Sequence, residues 1–266
     1  MKSGLMAFAV ATLLATGCRR PEATQRPVRV ADALTNPADT SDIPDWGRHI
    51  RSGTELLALG EEPFWSVEIN PNRYMRFRNV DGDSLLTPVP QRLTDTNGSF
   101  RYDAQTEAGR LLVIFRADSC RSSMSGQVFP YHVQVEAKGK LYSGCGVTLV
   151  PLMLLNDNWV LERYRDTPVQ VGTFGPSIPQ LELNTSDKRV AGTSGCNRIT
   201  GSVRADGSRI RFGPMAGTRM ACPANGALSE SVFLEALQAS TGYRIGNNRL
   251  TLYRGDTAEL VFRRVD

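Results

Sequence analysis

The sequence predicts a mainly β, α+β protein of two small domains. Each is an antiparallel curved sheet, and the second carries one long helix packed on its sheet. Three observations predict it. Apolar residues recur at every second position in many short runs, the mark of half-buried strands. Only one segment has the three-and-four spacing of an amphipathic helix. At 266 residues the chain has room for two cores of about 100 residues each.

Residues 1–17 read as a lipoprotein signal peptide. Lys2 gives the positive start, and the apolar run Leu5 to Ala15 is too short to span about 30 Å of hydrocarbon. Ala15-Thr16-Gly17-Cys18 resembles the lipobox of bacterial lipoproteins. The resemblance implies cleavage before Cys18, acylation of that residue with palmitate-type chains, and a membrane partner reached through the anchor. Arg19-Arg20, where an inner-membrane retention signal would place Asp, favours the outer membrane, facing the periplasm from the inner leaflet. Residues 18–50 carry Pro21, Pro27, Pro37 and Pro44 with little apolar periodicity, which reads as an extended tether. Trp46 near its end is expected to dock on the first domain.

Residues 51–152 read as a β-rich domain. In "FWSVEIN" Trp65, Val67 and Ile69 share one face. "RYMRFRNV" repeats the alternation, and "GRLLVIFRAD" is a more fully buried run. "YHVQVEAKGKLYSG" reads as a hairpin with Val133 and Val135 inward and Lys138-Gly139-Lys140 at the turn. Residues 147–157 are apolar and read as a last strand or a packed connector. Adjacent Glu61 and Glu62 are expected to point to opposite faces and be solvated. "GEEPFWSVEI", "CRSSMSGQVFPYHVQV" and "GKLYSGCG" resemble a small uncharacterised domain of bacterial envelope proteins, whose acidic residues around Met-Ser are replaced here by Ser122 and Gly126.

Residues 153–266 begin with the strand-like "WVLER". "QLELN", "RVAGTS", "GSVRAD" and "RIRFGPM" follow as strands. The helix lies in "ALSESVFLEALQAS", where Leu228, Val232, Phe233, Ala236 and Leu237 make one stripe. Glu230 complements the macrodipole, and Gly242 is available as C-cap. "YRIG", "RLTLYR" and "AELVFRRV" close the chain, with Asn247-Asn248 as one turn and Arg254-Gly255-Asp256 as another. "GTSGCNRITGSV", "RFGPMAGTRMAC", the helix and "YRIGNNRLTLY" resemble the META domain shared by HslJ-type heat-shock lipoproteins. That resemblance implies a small, mainly β domain with one long helix, an envelope association, a link to stress or antibiotic tolerance, and no established enzymatic activity.

With Cys18 acylated, Cys120, Cys145, Cys196 and Cys222 remain. Their spacing suggests two local disulfides, one per domain, each worth roughly 3.5 kcal/mol. Free buried thiols and a metal site are the alternatives, and the second lacks close Cys-x-x-Cys spacing. A cysteine nucleophile needs a base, commonly histidine. The only histidines, His49 and His132, lie outside the second domain. No hydrolase elbow, phosphate loop or zincin helix occurs.

A net charge of +4 over 266 residues is no nucleic-acid footprint, and no cofactor or metal is implied. The expected function is that of a non-enzymatic envelope module binding a small molecule or an envelope protein. A hydrolase or hydrolase inhibitor at the cell wall is the alternative. Trp65, Tyr131, Asn197 and Arg219 are candidate walls of a ligand cleft. The competing reading makes Asn197 and its cysteine a structural clamp.

Overall fold

The computed structural model describes residues 43–221 and 228–265. Cys18, the signal peptide, most of the expected tether and Cys222 lie outside the described residues. The chain is mostly β, as the alternation requires: 52% strand and 9% helix.

The first sheet draws on β1 (Leu56–Glu61), β2 (Phe64–Asn70), β3 (Tyr74–Asn79), β4 (Ser84–Thr87), β5 (Leu93–Thr94), β6 (Phe100–Thr106) and β7 (Gly109–Arg116). A short ribbon of β8 (Cys120–Arg121) and β9 (Val128–Phe129) follows, then β10 (Tyr131–Ala137) and β11 (Lys140–Thr148). The nine strands run in the order β4-β3-β2-β1-β11-β10-β7-β6-β5, and the ribbon pairs apart. The sheet curls around Trp65, Val67, Ile69, Phe77, Phe115 and Val135, the inward face the alternation marks. Lys138 and Gly139 both take positive φ, the conformation of a tight two-residue hairpin turn.

One departure from simple alternation is Glu68. It faces outward beside Val67 and Ile69 yet is buried. The cover is α1 (Gly47–Arg51), which lies in what the sequence presents as tether. His49 Nδ1 stands 3.1 Å from one Glu68 oxygen, and Arg76 pairs with the other. Residues 43–51 therefore fold onto the body. Trp46 does dock, edge-on to Phe129 of the first sheet's ribbon, and it also joins the core of the second domain.

After β11 the chain turns into α2 (Val150–Leu155), with Pro151 in its first turn. The expected strand or connector is thus a helix. Its wholly apolar text hides the period, and Pro151 is favourable at a helix start. Leu152 and Leu155 plug into the second core, and Trp159 donates its indole N–H to the Leu155 carbonyl at 3.0 Å.

The second sheet comprises β12 (Asn158–Tyr164), β13 (Thr167–Pro168), β14 (Gln180–Asn184), β15 (Arg189–Thr193), β16 (Arg198–Asp206), β17 (Arg209–Phe212) and β18 (Ala216–Gly217). It continues after α3 (Glu230–Gln238) with β19 (Gly242–Gly246), β20 (Arg249–Arg254) and β21 (Thr257–Arg264). The order β12-β14-β15-β16-β17-β19-β20-β21 closes on itself through β12–β21 pairing, making an antiparallel barrel. Asn247 and Asn248 have φ of +51° and +58° and form the expected turn, and Gly255 has φ +57° in the turn at Arg254–Asp256.

Helix α3 buries Phe233, Ala236 and Leu237, three members of the expected stripe. It is shorter than the sequence suggested and ends at Ala239, not at Gly242. The chain is taken over by the barrel: Thr241 N–H donates to the Tyr253 carbonyl at 2.8 Å, and Gly242 pairs with Tyr253 in β19–β20.

Candidate functional site

The turn between β15 and β16, residues 194–197, is the polar centre of the second domain. Gly195 has φ +103°, and a Cβ there would sit 2.8 Å from the Ser177 carbonyl oxygen, so only glycine fits without strain. Ser177 fastens the turn from outside, its N–H and hydroxyl both donating to the Gly195 carbonyl, at 2.8 and 2.9 Å.

Asn197 is 3% exposed, and its amide is bonded at both its oxygen and its nitrogen. Its oxygen accepts from the Thr218 hydroxyl and the Met220 N–H, each at 2.8 Å. Its NH₂ donates to Glu230 at 2.8 Å. The other Glu230 oxygen accepts from the Ser194 hydroxyl, which accepts the Asn197 N–H at 3.1 Å. One side chain therefore ties three pieces of chain together: the 194–197 turn, the segment after β18 and the first turn of α3. Glu230 faces the turn with both oxygens instead of merely complementing the helix dipole. Cys196, within the turn, is disulfide-bonded.

A comparable clamp stands in the first domain. The Glu61 carboxylate accepts from the Ser122 hydroxyl, the Ser123 hydroxyl and N–H, and the Met124 N–H. These bonds, the Ser122 hydroxyl first and the Ser123 hydroxyl next, hold its carboxyl below the usual range. The expectation of a solvated Glu61 is corrected: it is the anion around which the 122–124 turn winds. Beneath that turn Cys120 and Cys145 form a disulfide with Cα atoms 5.4 Å apart, as the spacing suggested.

The candidate cleft residues fall in separate places. Trp65 is 4% exposed and packs on Phe77 and Tyr142. A Cβ at Gly60 would lie 1.9 Å from its indole nitrogen, so the glycine makes room for the ring. Tyr131 stands edge-on to Phe100 and Phe115 at 5.4 and 5.7 Å. Both belong to the first sheet's core cluster. Asn197 is in the barrel network, and Arg219 is exposed on the segment that network holds. None of the four lines the cavity of about 20 Å³ bordered by Ile43, Pro44, Trp46, Leu152, Lys188 and Arg204, which has room for little more than a water.

Among the described residues no group of three His, Cys, Asp or Glu is placed to hold a metal ion. No helix there is long and apolar enough to cross a membrane. Ser143 and His132 Nε2 lie 3.2 Å apart, both on the outer face of the first sheet. Among the described residues no carboxylate contacts the ring, so it lacks the orienting partner of a Ser–His nucleophile.

A closed antiparallel barrel with one helix, joined to a curled antiparallel sheet, is the class that fold and site define. Within it, residues 152–266 match the model of the META domain. The C-terminal half of the chain is thus a META domain. Three solved structures are similar. An NMR structure of a protein from Burkholderia xenovorans is 30% identical, covering 43% of this chain and 85% of that one, with a TM-score of 0.34. A second NMR structure is 24% identical over 43% and 93% of the two chains, at TM-score 0.33. A crystal structure of a DUF3598-family protein of unknown function from Nostoc punctiforme is 12% identical, at TM-score 0.15, over 84% and 99%. No curated protein matches.

Sequence reasoning missed Glu61 and the acceptor role of Glu230. For Glu61 no signal was available, since its partners lie 61 to 63 residues away. For Glu230 the signal was its place one residue after the N-cap Ser229, beside a helix start that the 194–197 turn must meet.

Proposed function

We propose that this protein is a non-enzymatic lipoprotein of the bacterial envelope. It is acylated at Cys18, held to the outer membrane on its periplasmic side, and binds an envelope protein or small molecule under stress. The observation that carries the non-enzymatic part is the occupancy of the Asn197 amide. Ser194 and Asn197 of "GTSGCNRITG" are bonded to each other, to Glu230 and to the 218–220 segment, so the motif acts as a fold-locking device. The lipobox-like Ala15-Thr16-Gly17-Cys18 and the META match over residues 152–266 support the envelope assignment.

The test has two parts. Mass spectrometry of the N-terminal peptide should find acyl chains on Cys18; an unmodified Met1 start would end the lipoprotein reading. A thermal-shift screen against envelope lipids, peptidoglycan fragments and antibiotics, run beside crosslinking in intact cells, should identify one ligand or partner. Turnover of a cell-wall substrate by the purified chain would overturn the non-enzymatic reading.

A further inference from the structure

Arg204 on β16 and Arg211 on β17 are registered directly opposite each other. Both are exposed, while Val203, Ala205, Ile210 and Phe212 beside them are buried, so the two guanidinium groups share the outer face. Arg189 on β15 is exposed on that face too. It pairs with Ser202, two residues from Arg204, which puts Arg189 and Arg204 on the diagonal, with Cβ atoms about 7 Å apart. Like charges directly opposite on a sheet are destabilising.

The barrel's other opposed arginine pair shows how such repulsion is ordinarily relieved. Arg249 faces Arg263, and Glu162 grips Arg249 with contacts of 2.7 and 3.0 Å. Among the described residues neither Arg189, Arg204 nor Arg211 has an ion pair. Nearby carboxylates are engaged elsewhere: Asp187 with Arg51, Asp45 with Lys188, Asp206 with Arg209. Glu182 is outward on β14, paired with Ala191, and so stands on the diagonal from Arg189 as Arg204 does, without an ion pair to it; Arg204 and Arg211 lie one and two strands further on.

The chain enters the fold beside this face. Ile43 and Pro44 border the same small cavity as Lys188 and Arg204. Residues 18–42 therefore lead from Cys18 to the edge of the arginine cluster, a reach of at most about 85 Å even if fully extended.

We propose that Arg189, Arg204 and Arg211 form a docking surface for anionic phospholipid headgroups, which seats the META domain on the membrane that holds the anchor. The orienting role rests on the acylation of Cys18; the headgroup affinity does not. Three guanidinium groups without an ion pair fit the phosphates of a lipid surface, and each basic residue near an anionic membrane strengthens attachment several-fold.

The test uses the full chain with Cys18→Ser, which cannot be acylated, and co-sedimentation with vesicles. Binding to phosphatidylglycerol-containing vesicles and not to phosphatidylcholine alone is expected. It should weaken about 100-fold in Arg189→Gln/Arg204→Gln/Arg211→Gln and fall steeply with salt. Neutralising Arg78 and Arg101 on the first sheet together with Arg73 in its β2–β3 turn should leave it unchanged. Absence of binding, or equal loss in both triple variants, overturns the proposal. Release by inorganic phosphate, beyond that by chloride of equal ionic strength, overturns it in favour of a discrete phosphate site. Mass spectrometry of wild-type Cys18 reads the anchor separately, so a bare Cys18 with intact vesicle binding condemns the anchor and not the surface.

Discussion

Asn197 and Glu230 are joined by a 2.8 Å hydrogen bond across 33 residues of sequence, and that contact locks the helix α3 to the barrel's glycine-rich turn. Asn197→Ala removes the bonds from the Met220 N–H and the Thr218 hydroxyl and the bond to one Glu230 oxygen at once. Losing three part-buried bonds centred on a buried amide, one of them to a charged group, costs about 2 kcal/mol. The expected result is a large drop in the urea midpoint with an unchanged slope. Glu230→Gln keeps one acceptor oxygen and should cost clearly less. Equal losses in the two variants would show that the network does not work through the Asn197 amide.

Glu61 gives a second prediction, on local order and pH. Its carboxyl is held below the ordinary 4.5 by the Ser122 and Ser123 hydroxyls. A carboxyl with a depressed native pKa stabilises above its unfolded value, and the gain disappears as pH falls through the native value. Amide exchange at Ser123 and Met124 should therefore stay slow above about pH 4.5 and lose protection in more acid solution. In Glu61→Gln the same amides should exchange fast at every pH, while the Cys120–Cys145 bridge keeps the rest of the ribbon in place.

The sequence made the periodic parts legible. Trp65, Val67 and Ile69 declared their face because a strand repeats every two residues. Asn247-Asn248 and Lys138-Gly139 declared their turns because few residue pairs accept two positive φ values in succession. Helices α1 and α2 left no such trace. Each is under two turns, too short to show a period, and each forms because the body buries Trp46, Leu152 or Leu155. The clamps were half visible. Asn197 stood out beside glycines, but its partners Thr218 and Glu230 come from two other elements, and only closure of the barrel brings them together.

His49 supplies a pH prediction near neutrality. Burial lowers its pKa from 6.5, Glu68 opposes that shift, and the neighbouring Arg48 and, more weakly, Arg76 reinforce it. The unfolded chain therefore binds a proton where the native chain does not. Stability should be full above about pH 6.5 and decline as the pH falls toward the native value. In His49→Gln the stretch of the stability profile between pH 7 and 5 should be flatter than in wild type. A profile of identical slope would mean that α1 does not bury this ring in solution.

The opposed arginines allow a test that needs no ligand. If Arg204 and Arg211 repel across β16 and β17, replacing one by an acid converts repulsion into attraction, a change of about 1 kcal/mol. Arg211→Glu should raise the urea midpoint, and Arg204→Glu should do the same. The double variant Arg204→Glu/Arg211→Glu restores a like-charged pair, so its gain should fall well below the sum of the singles. The gains should also shrink in strong salt, because exposed charges are screened over a few ångströms there. β-propensity cannot mimic this pattern, since it would add across the two sites. A wild-type pair retained at such a cost to the barrel is what a surface kept for an anionic partner requires, whereas single substitutions that lower stability would show that the two guanidinium groups already avoid each other.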